Sequence, residues 1–162
     1  MGAKKYKINK FKKGIYNCER CGLCIFHYNT WTTHGCCPVG EHSLGFEPYF
    51  ARGKVIAARG IIEGRIDYSP AFVDPVAGWC STCGLCVRTC GCTDEMGEFA
   101  IVTPEIVEAM RADLVDLGMC PEAFKELGNK IQKEKNYFGA PKANRMKWTE
   151  GLNVNFLEAK KQ

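Results

Sequence analysis

Cys80-Ser81-Thr82-Cys83-Gly84-Leu85-Cys86-Val87-Arg88-Thr89-Cys90 is the stretch on which the reading of this chain turns. Its opening C-x-x-C-G-L-C has an upstream counterpart, Cys18-Glu19-Arg20-Cys21-Gly22-Leu23-Cys24, so the chain carries an internal repeat. Each copy is followed by further cysteine. Cys90 follows the second, and Cys36-Cys37-Pro38 follows the first after an intervening stretch, 25–36. Cys92 and Cys120 lie outside the pattern. The chain has 11 cysteines in 162 residues, an odd number that no all-disulfide scheme can pair completely. Residues 1–13 are basic but lack the apolar segment of a secretory signal, so a reducing, cytoplasmic setting is expected. Any membrane association would come through a partner. Cysteines used this way point to metal binding or redox chemistry.

Spacing bears on which metal. Structural zinc sites take two C-x2-C pairs around one tetrahedron, and a third cysteine two residues further on has no place there. A cubane iron–sulfur cluster uses all three: a tight loop caps three irons, and the fourth iron takes a thiolate from elsewhere. In the run C-x2-C-x2-C-x3-C-P the last cysteine serves the other cluster. Two [4Fe–4S] clusters with crossed ligation are therefore expected, two zinc sites being the rival. Cluster one would use Cys18, Cys21, Cys24 and Cys90; cluster two would use Cys80, Cys83, Cys86 and Cys37. Cys37 is preferred to Cys36 because Pro38 fixes the chain direction immediately after it. Cys36, Cys92 and Cys120 are read as small hydrophobes. Gly22 and Gly84 are expected to let the backbone turn closely and aim N–H groups at sulfur. Cys90 departs from the pattern in being followed by Gly91 rather than proline.

The remaining chain reads as helical. Phe50, Val55, Ile56, Ile61 and Ile62 predict a helix over about 50–63, stopped before Pro70 and Pro75. Thr103-Pro104-Glu105 reads as a helix start with Thr103 as the cap. Ile106, Val107, Met110, Leu114 and Leu117 form its apolar face, and Gly118 ends it. Pro121 opens another helix to about Lys135, carrying Phe124, Leu127 and Ile131. No sustained strand alternation occurs, so the fold class is mainly α, with the expected clusters in loops between helices. Three segments are expected: a basic, solvated N-terminal arm over 1–13, a helical domain over 14–135, and an irregular tail over 136–162. The tail's Tyr137, Phe138, Trp148 and Phe156 suit docking on a partner.

Hydrophobic residues make up 46% and charged residues 25%, ordinary for a globular chain. No apolar run approaches a membrane span. The net charge of +4 is too diffuse for a nucleic-acid footprint. Two oxidised clusters at about −2 each would offset it. There is no nucleophile–base pair and no glycine-rich phosphate loop after a strand, so the chain by itself is read as non-catalytic.

These residues resemble the two-cluster helical ferredoxins of heterodisulfide reductases, which form the C-type subunits and the N-terminal part of the D-type subunits. The matching residues are the two cysteine repeats, Cys37-Pro38, Arg52-Gly53-Lys54, the segment Tyr137-Phe138-Gly139-Ala140-Pro141-Lys142-Ala143-Asn144-Arg145, and Trp148. The resemblance covers roughly residues 14–150. It implies an electron-transfer subunit in an oxidoreductase complex of anaerobic metabolism. The donor would be a flavoprotein or iron–sulfur subunit, and the acceptor a catalytic subunit with cysteine-rich CCG domains. Such domains are not recognisable in this chain. The alternative is a redox-sensing factor, or an activation or assembly factor for another metalloenzyme. The stretch 25–36 is longer than in the family and brings in His27 and His34, expected as solvent-facing or hydrogen-bonding imidazoles.

Overall fold

A computed structural model describes residues 5–25 and 36–154. The chain divides into two compact units that meet in sequence between Cys120 and Pro121. His27, His34 and Phe156 lie outside the described residues.

In the first unit a 3-10 turn, Lys7–Phe11, leads into helix α1 (Lys12–Tyr16). Then come α2 (Pro38–Glu41), a 3-10 turn Glu47–Tyr49, and α3 (Ala51–Ile62). A short α4 (Pro70–Phe72) continues as a π-helical stretch, Val73–Gly78. Helices α5 (Leu85–Arg88) and α6 (Thr103–Asp116) complete the unit. The molecule is mainly helical. Among the described residues no strand forms, and Thr93 and Phe99 make only an isolated antiparallel bridge.

Helix α3 occupies almost the predicted range, and its buried face presents Val55, Ala58 and Ile61 to the core. Ile106, Val107, Met110 and Leu114 meet them from α6, with Ile8 and Ile15 closing the N-terminal side. Three glycines let backbones or rings approach closely. A Cβ on Gly53 would overlap the Glu47 carbonyl oxygen, one on Gly14 the Ala100 carbonyl oxygen, and one on Gly40 the Phe50 ring. Helix α6 ends as predicted. Gly118 takes φ 75°, while its N–H and that of Met119 bond back to the carbonyls of Val115 and Leu114. Its start differs from the expectation. Val102 is the cap residue and Thr103 makes no capping bond, because Thr103 is already helical and buried between the cysteine loops.

The basic N-terminal run is not a free arm. Ile8 is fully buried, and the backbone N–H groups of Lys7 and Ile8 donate to the carboxylate of Asp113 at 2.6 and 3.3 Å. The Tyr68 hydroxyl donates to the same carboxylate at 3.0 Å. A buried carboxylate persists only when its oxygens are satisfied, and here two distant segments and α6 itself depend on one side chain. The lysines alternate outward around buried Ile8, so the charge pattern conceals the docking.

In the second unit α7 (Glu122–Glu134) includes the helix expected to belong to the cysteine-bearing domain. It stops at Lys135, which adopts the left-handed conformation. Its expected apolar face exists, yet none of its residues is buried, and Phe124 is 65% exposed. The tail is more regular than its sequence suggests. Lys142–Thr149 forms a 3-10 helix, preceded by a turn in which the Asn136 amide accepts from the Ala140 N–H at 3.1 Å.

Replacing Asp113 with alanine leaves three buried or half-buried donors without their acceptor. Urea denaturation should show a loss of about 3 kcal/mol or more. The Lys7–Phe11 turn should at the same time become open to limited proteolysis. A loss below about 1 kcal/mol would contradict the role given to this carboxylate.

Candidate metal centres

The two sequence repeats adopt the same local backbone. In the first, Arg20 and Gly22 take φ 59° and 87°; in the second, Thr82 and Gly84 take φ 53° and 78°. A bulky or β-branched residue at positive φ is uncommon and costs conformational energy. Its occurrence at matching positions makes the strain a property of the motif. Left-handed residues interspersed with right-handed ones turn successive N–H groups toward one side, forming a concavity suited to anions. At Gly84 no atom lies within contact range of an added Cβ. The glycine is there for its φ, which permits the close turn expected from the sequence.

Each loop forms one wall of a cavity. The first is lined by Cys18, Cys21, Cys24 and Cys90, with Cys86 and Cys92 also at its edge. The second is lined by Cys80, Cys83, Cys86 and Cys37, with Cys36 beside them. The structure thus brings each expected set of four sulfurs to one void, with the last of each four contributed across the repeats. Ten of the 11 cysteines line one or both cavities; Cys120 lines neither. Ala51, Cys86 and Thr103 belong to both linings and form the partition. Among the described residues no three His, Cys, Asp or Glu side chains converge as a ligand set for a single ion. The soft sulfur donors lining the two cavities suit a thiophilic metal or an iron–sulfur cluster.

Cys36 and Cys37 differ in their surroundings. Cys36 is 1% exposed and its sulfur lies 3.1 Å from the Thr89 hydroxyl. The sulfur of Cys37 caps α2, accepting the Gly40 N–H at 3.4 Å.

Burial dominates the thiol electrostatics. It pushes Cys24 up to about 12, against a hydrogen bond from the Arg52 backbone N–H. It pushes Cys86 up to about 11, against a hydrogen bond with the Thr103 hydroxyl. Cys36 and Cys90 are also raised, chiefly by burial. Cys90 is partly relieved by the backbone N–H of Cys92.

Three contributors escape the sequence reading, and a fourth, Lys54, enters it only as part of the resemblance. Cys92 reads there as a small hydrophobe, although its spacing two residues beyond Cys90 marks it out. Thr103 reads as a cap. Lys54, 2% exposed, lines the second cavity and donates to the carbonyls of Pro48 and Pro75 at 2.8 and 3.0 Å. Burial lowers its ammonium to about 8, opposed mainly by the thiols of Cys80 and Cys37. Arg111, on α6, donates to the carbonyls of Ala77, Gly78 and Cys80, so it clamps the chain entering the second loop. Nothing in its local sequence distinguishes it.

Comparison with known proteins gives one informative similarity. The chain is 32% identical over 111 residues to the D-type subunit of a dihydromethanophenazine:CoB–CoM heterodisulfide reductase from Methanosarcina barkeri, strain Fusaro / DSM 804. The match takes in 64% of this chain and 25% of the relative, so the chain spans about a quarter of the length of the protein it matches. No protein-family model and no solved structure matches it. The likeness supports a heterodisulfide-reductase-like chain. No helix among the described residues is long and apolar enough to cross a membrane.

Raised thiols carry a consequence for pH. Cys24 and Cys86 are protonated in the metal-free protein at neutral pH, so a metal must displace their protons. Protons compete more strongly as pH falls. Metal uptake by the apoprotein should therefore acidify a weakly buffered solution and strengthen as pH rises from about 6 to about 8.5. Uptake without proton release, or affinity independent of pH, would contradict these surroundings.

Proposed function

We propose that this chain is an iron–sulfur electron-transfer subunit of a heterodisulfide-reductase-like oxidoreductase complex. It takes electrons from a flavoprotein or iron–sulfur donor and passes them to a catalytic subunit of the CCG type. The observation that carries this reading is the pair of adjacent cavities, each ringed by thiols from both halves of the repeat. Cys18, Cys21, Cys24 and Cys90 would hold the first [4Fe–4S] cluster, and Cys80, Cys83, Cys86 and Cys37 the second. Bound there, the clusters supply one-electron carriers.

The chain's own residues position and tune. Positive-φ turns at Arg20, Gly22, Thr82 and Gly84 shape the loops. The Arg52 N–H, the Thr103 hydroxyl and the Gly40 N–H meet ligand sulfurs. Val55 and Ile101 cover the first cavity with apolar surface. The role within a complex is supported by the similarity to a named reductase component and by the second unit's exposed apolar groups. Phe138 is 89% exposed, and Phe124, Tyr137 and Trp148 are exposed with it. Aromatic side chains of this kind serve as anchors at subunit interfaces.

Two thiols beyond the eight expected ligands, Cys36 and Cys92, lie at the cavity walls and favour a second reading. In it the chain is a redox sensor, or an activation or assembly factor. Steady-state turnover between donor and acceptor supports the relay. Consumption once per activated partner supports the factor.

Anaerobically purified protein should be brown and contain iron and acid-labile sulfide equivalent to two cubanes; absence of both sinks the proposal. Cys21→Ser should lose about half of the iron, whereas Cys120→Ser should keep all of it. Of the neighbouring pair, Cys37→Ser should cost the second cluster and Cys36→Ser should not. The opposite result would reassign the ligand.

A further inference from the structure

We propose that Lys54, held between the Pro48 and Pro75 carbonyls, makes the second cavity the electron sink of the pair. This assigns a direction within the relay and rests on the two-cluster reading above. The cavities are alike in their loops, and each has one exposed cysteine, Cys21 and Cys83, so solvent access at the ligands does not distinguish them. They differ in charge.

The first cavity is lined by Glu19, Arg20 and Arg52. The Arg52 guanidinium is engaged by the Glu47 carboxylate, with Nε 3.0 Å from Oε2 and Nη2 paired to the other oxygen, while Nη1 reaches the Arg20 carbonyl. Its positive charge is thus largely matched locally, and the pair is partly open to water, which screens it further. The second cavity has no acidic residue in its lining among the described residues. Its cation, the Lys54 ammonium, is buried and satisfied by carbonyl dipoles. Arg111 adds a second positive charge beside it, its hydrogen bonds also going to carbonyls, one of them that of Cys80.

A buried positive charge in a low-dielectric wall favours whichever state of the neighbouring site is more negative. Reduction adds one negative charge, so Lys54 favours reduction on its side of the partition. The step is a single electron leaving the first site and entering the second across Ala51, Cys86 and Thr103. The first is oxidised as the second is reduced, no bond breaks and no proton moves. A reduced flavoprotein or iron–sulfur donor replaces the electron. Lys54 is a tuning residue, and its readout is a potential.

The test is an EPR-monitored redox titration of the full chain loaded with iron and sulfide under anaerobic conditions. Two separate midpoints are expected. Cys83→Ser should abolish the higher-potential signal and Cys21→Ser the lower one. Lys54→Met should move the higher midpoint to lower potential without moving the other, and Lys54→Arg should largely restore it. The inference is overturned if Lys54→Met carries wild-type iron with its higher midpoint unmoved, or if Cys21→Ser removes the higher-potential signal. Where Lys54→Met fails to load, the cysteine pair still decides which cavity has the higher potential, and a higher potential at the first cavity overturns the inference. A protein holding no iron defeats the two-cluster reading itself, and this inference with it.

Discussion

Sulfur confined near sulfur is the constraint on which this molecule depends. Thiolates crowded around a small void repel one another, and burial makes each ionisation harder still. Cys24 and Cys86 are both pushed up, by burial first and by neighbouring thiols to a lesser degree. Such a cavity is stable in two conditions: with its thiols protonated, or with a cationic core drawing all of them into ionised bonds. The rest of the first unit serves to hold the loops where the second condition can be met. Helix α3 runs beneath both cavities, offering Ala51 to each, the Arg52 N–H to one and Lys54 to the other. Its close approach to the Glu47–Tyr49 turn at Gly53 brings it within reach of both.

Crossing the fourth ligands has a structural effect separate from redox chemistry. Cys90 follows the second triad yet faces the first cavity, and Cys37 follows the first triad yet faces the second. Occupying the first cavity would therefore close a loop from Cys18 to Cys90, and occupying the second a loop from Cys37 to Cys86. Loop closure of that length removes much conformational freedom from the unfolded chain. The apolar contacts of Ile8, Ile15 and the α3–α6 face reinforce the same closure from outside the cavities. Metal and core thus act on one topology, and neither half of the repeat is a self-sufficient unit.

The repeat, α3 and α6 are legible in the sequence because their signals are local. Cysteine spacing, a helical period and a terminal glycine need only neighbouring residues to be read. The short helices are not legible, since three to five residues such as Lys12–Tyr16 or Pro70–Phe72 are too few to show a period. The docking of Lys7 and Ile8 is hidden for another reason: its partner, Asp113, is distant in sequence, and a carboxylate on a helix normally faces water. Lys54 misleads in the same way. A lysine among alanines and isoleucines reads as the polar stripe of an amphipathic helix, and only the carbonyls of two separate turns make its burial tolerable. Cys92 shows the opposite failure, where a pattern already complete at Cys90 draws attention away from a further cysteine two residues on.

The choice between zinc and a cluster turns on the shape of the donor set rather than its composition. Four thiols satisfy either, and C-x2-C pairs occur in both. A zinc ion brings its sulfurs to within about 2.3 Å of one point, so their loops must fold inward to touch. A cubane spreads its four thiolates over four irons and lets the loops stay further apart. Positive φ at Arg20 and Thr82 bends each triad around an opening, and the glycine of each triad extends the same curvature. Keeping a β-branched residue such as Thr82 in that conformation is costly. Strain repeated at the same position of both loops marks it as a property of the ligand motif. On the two-cluster reading proposed above, each curved triad would embrace one core and its sulfides.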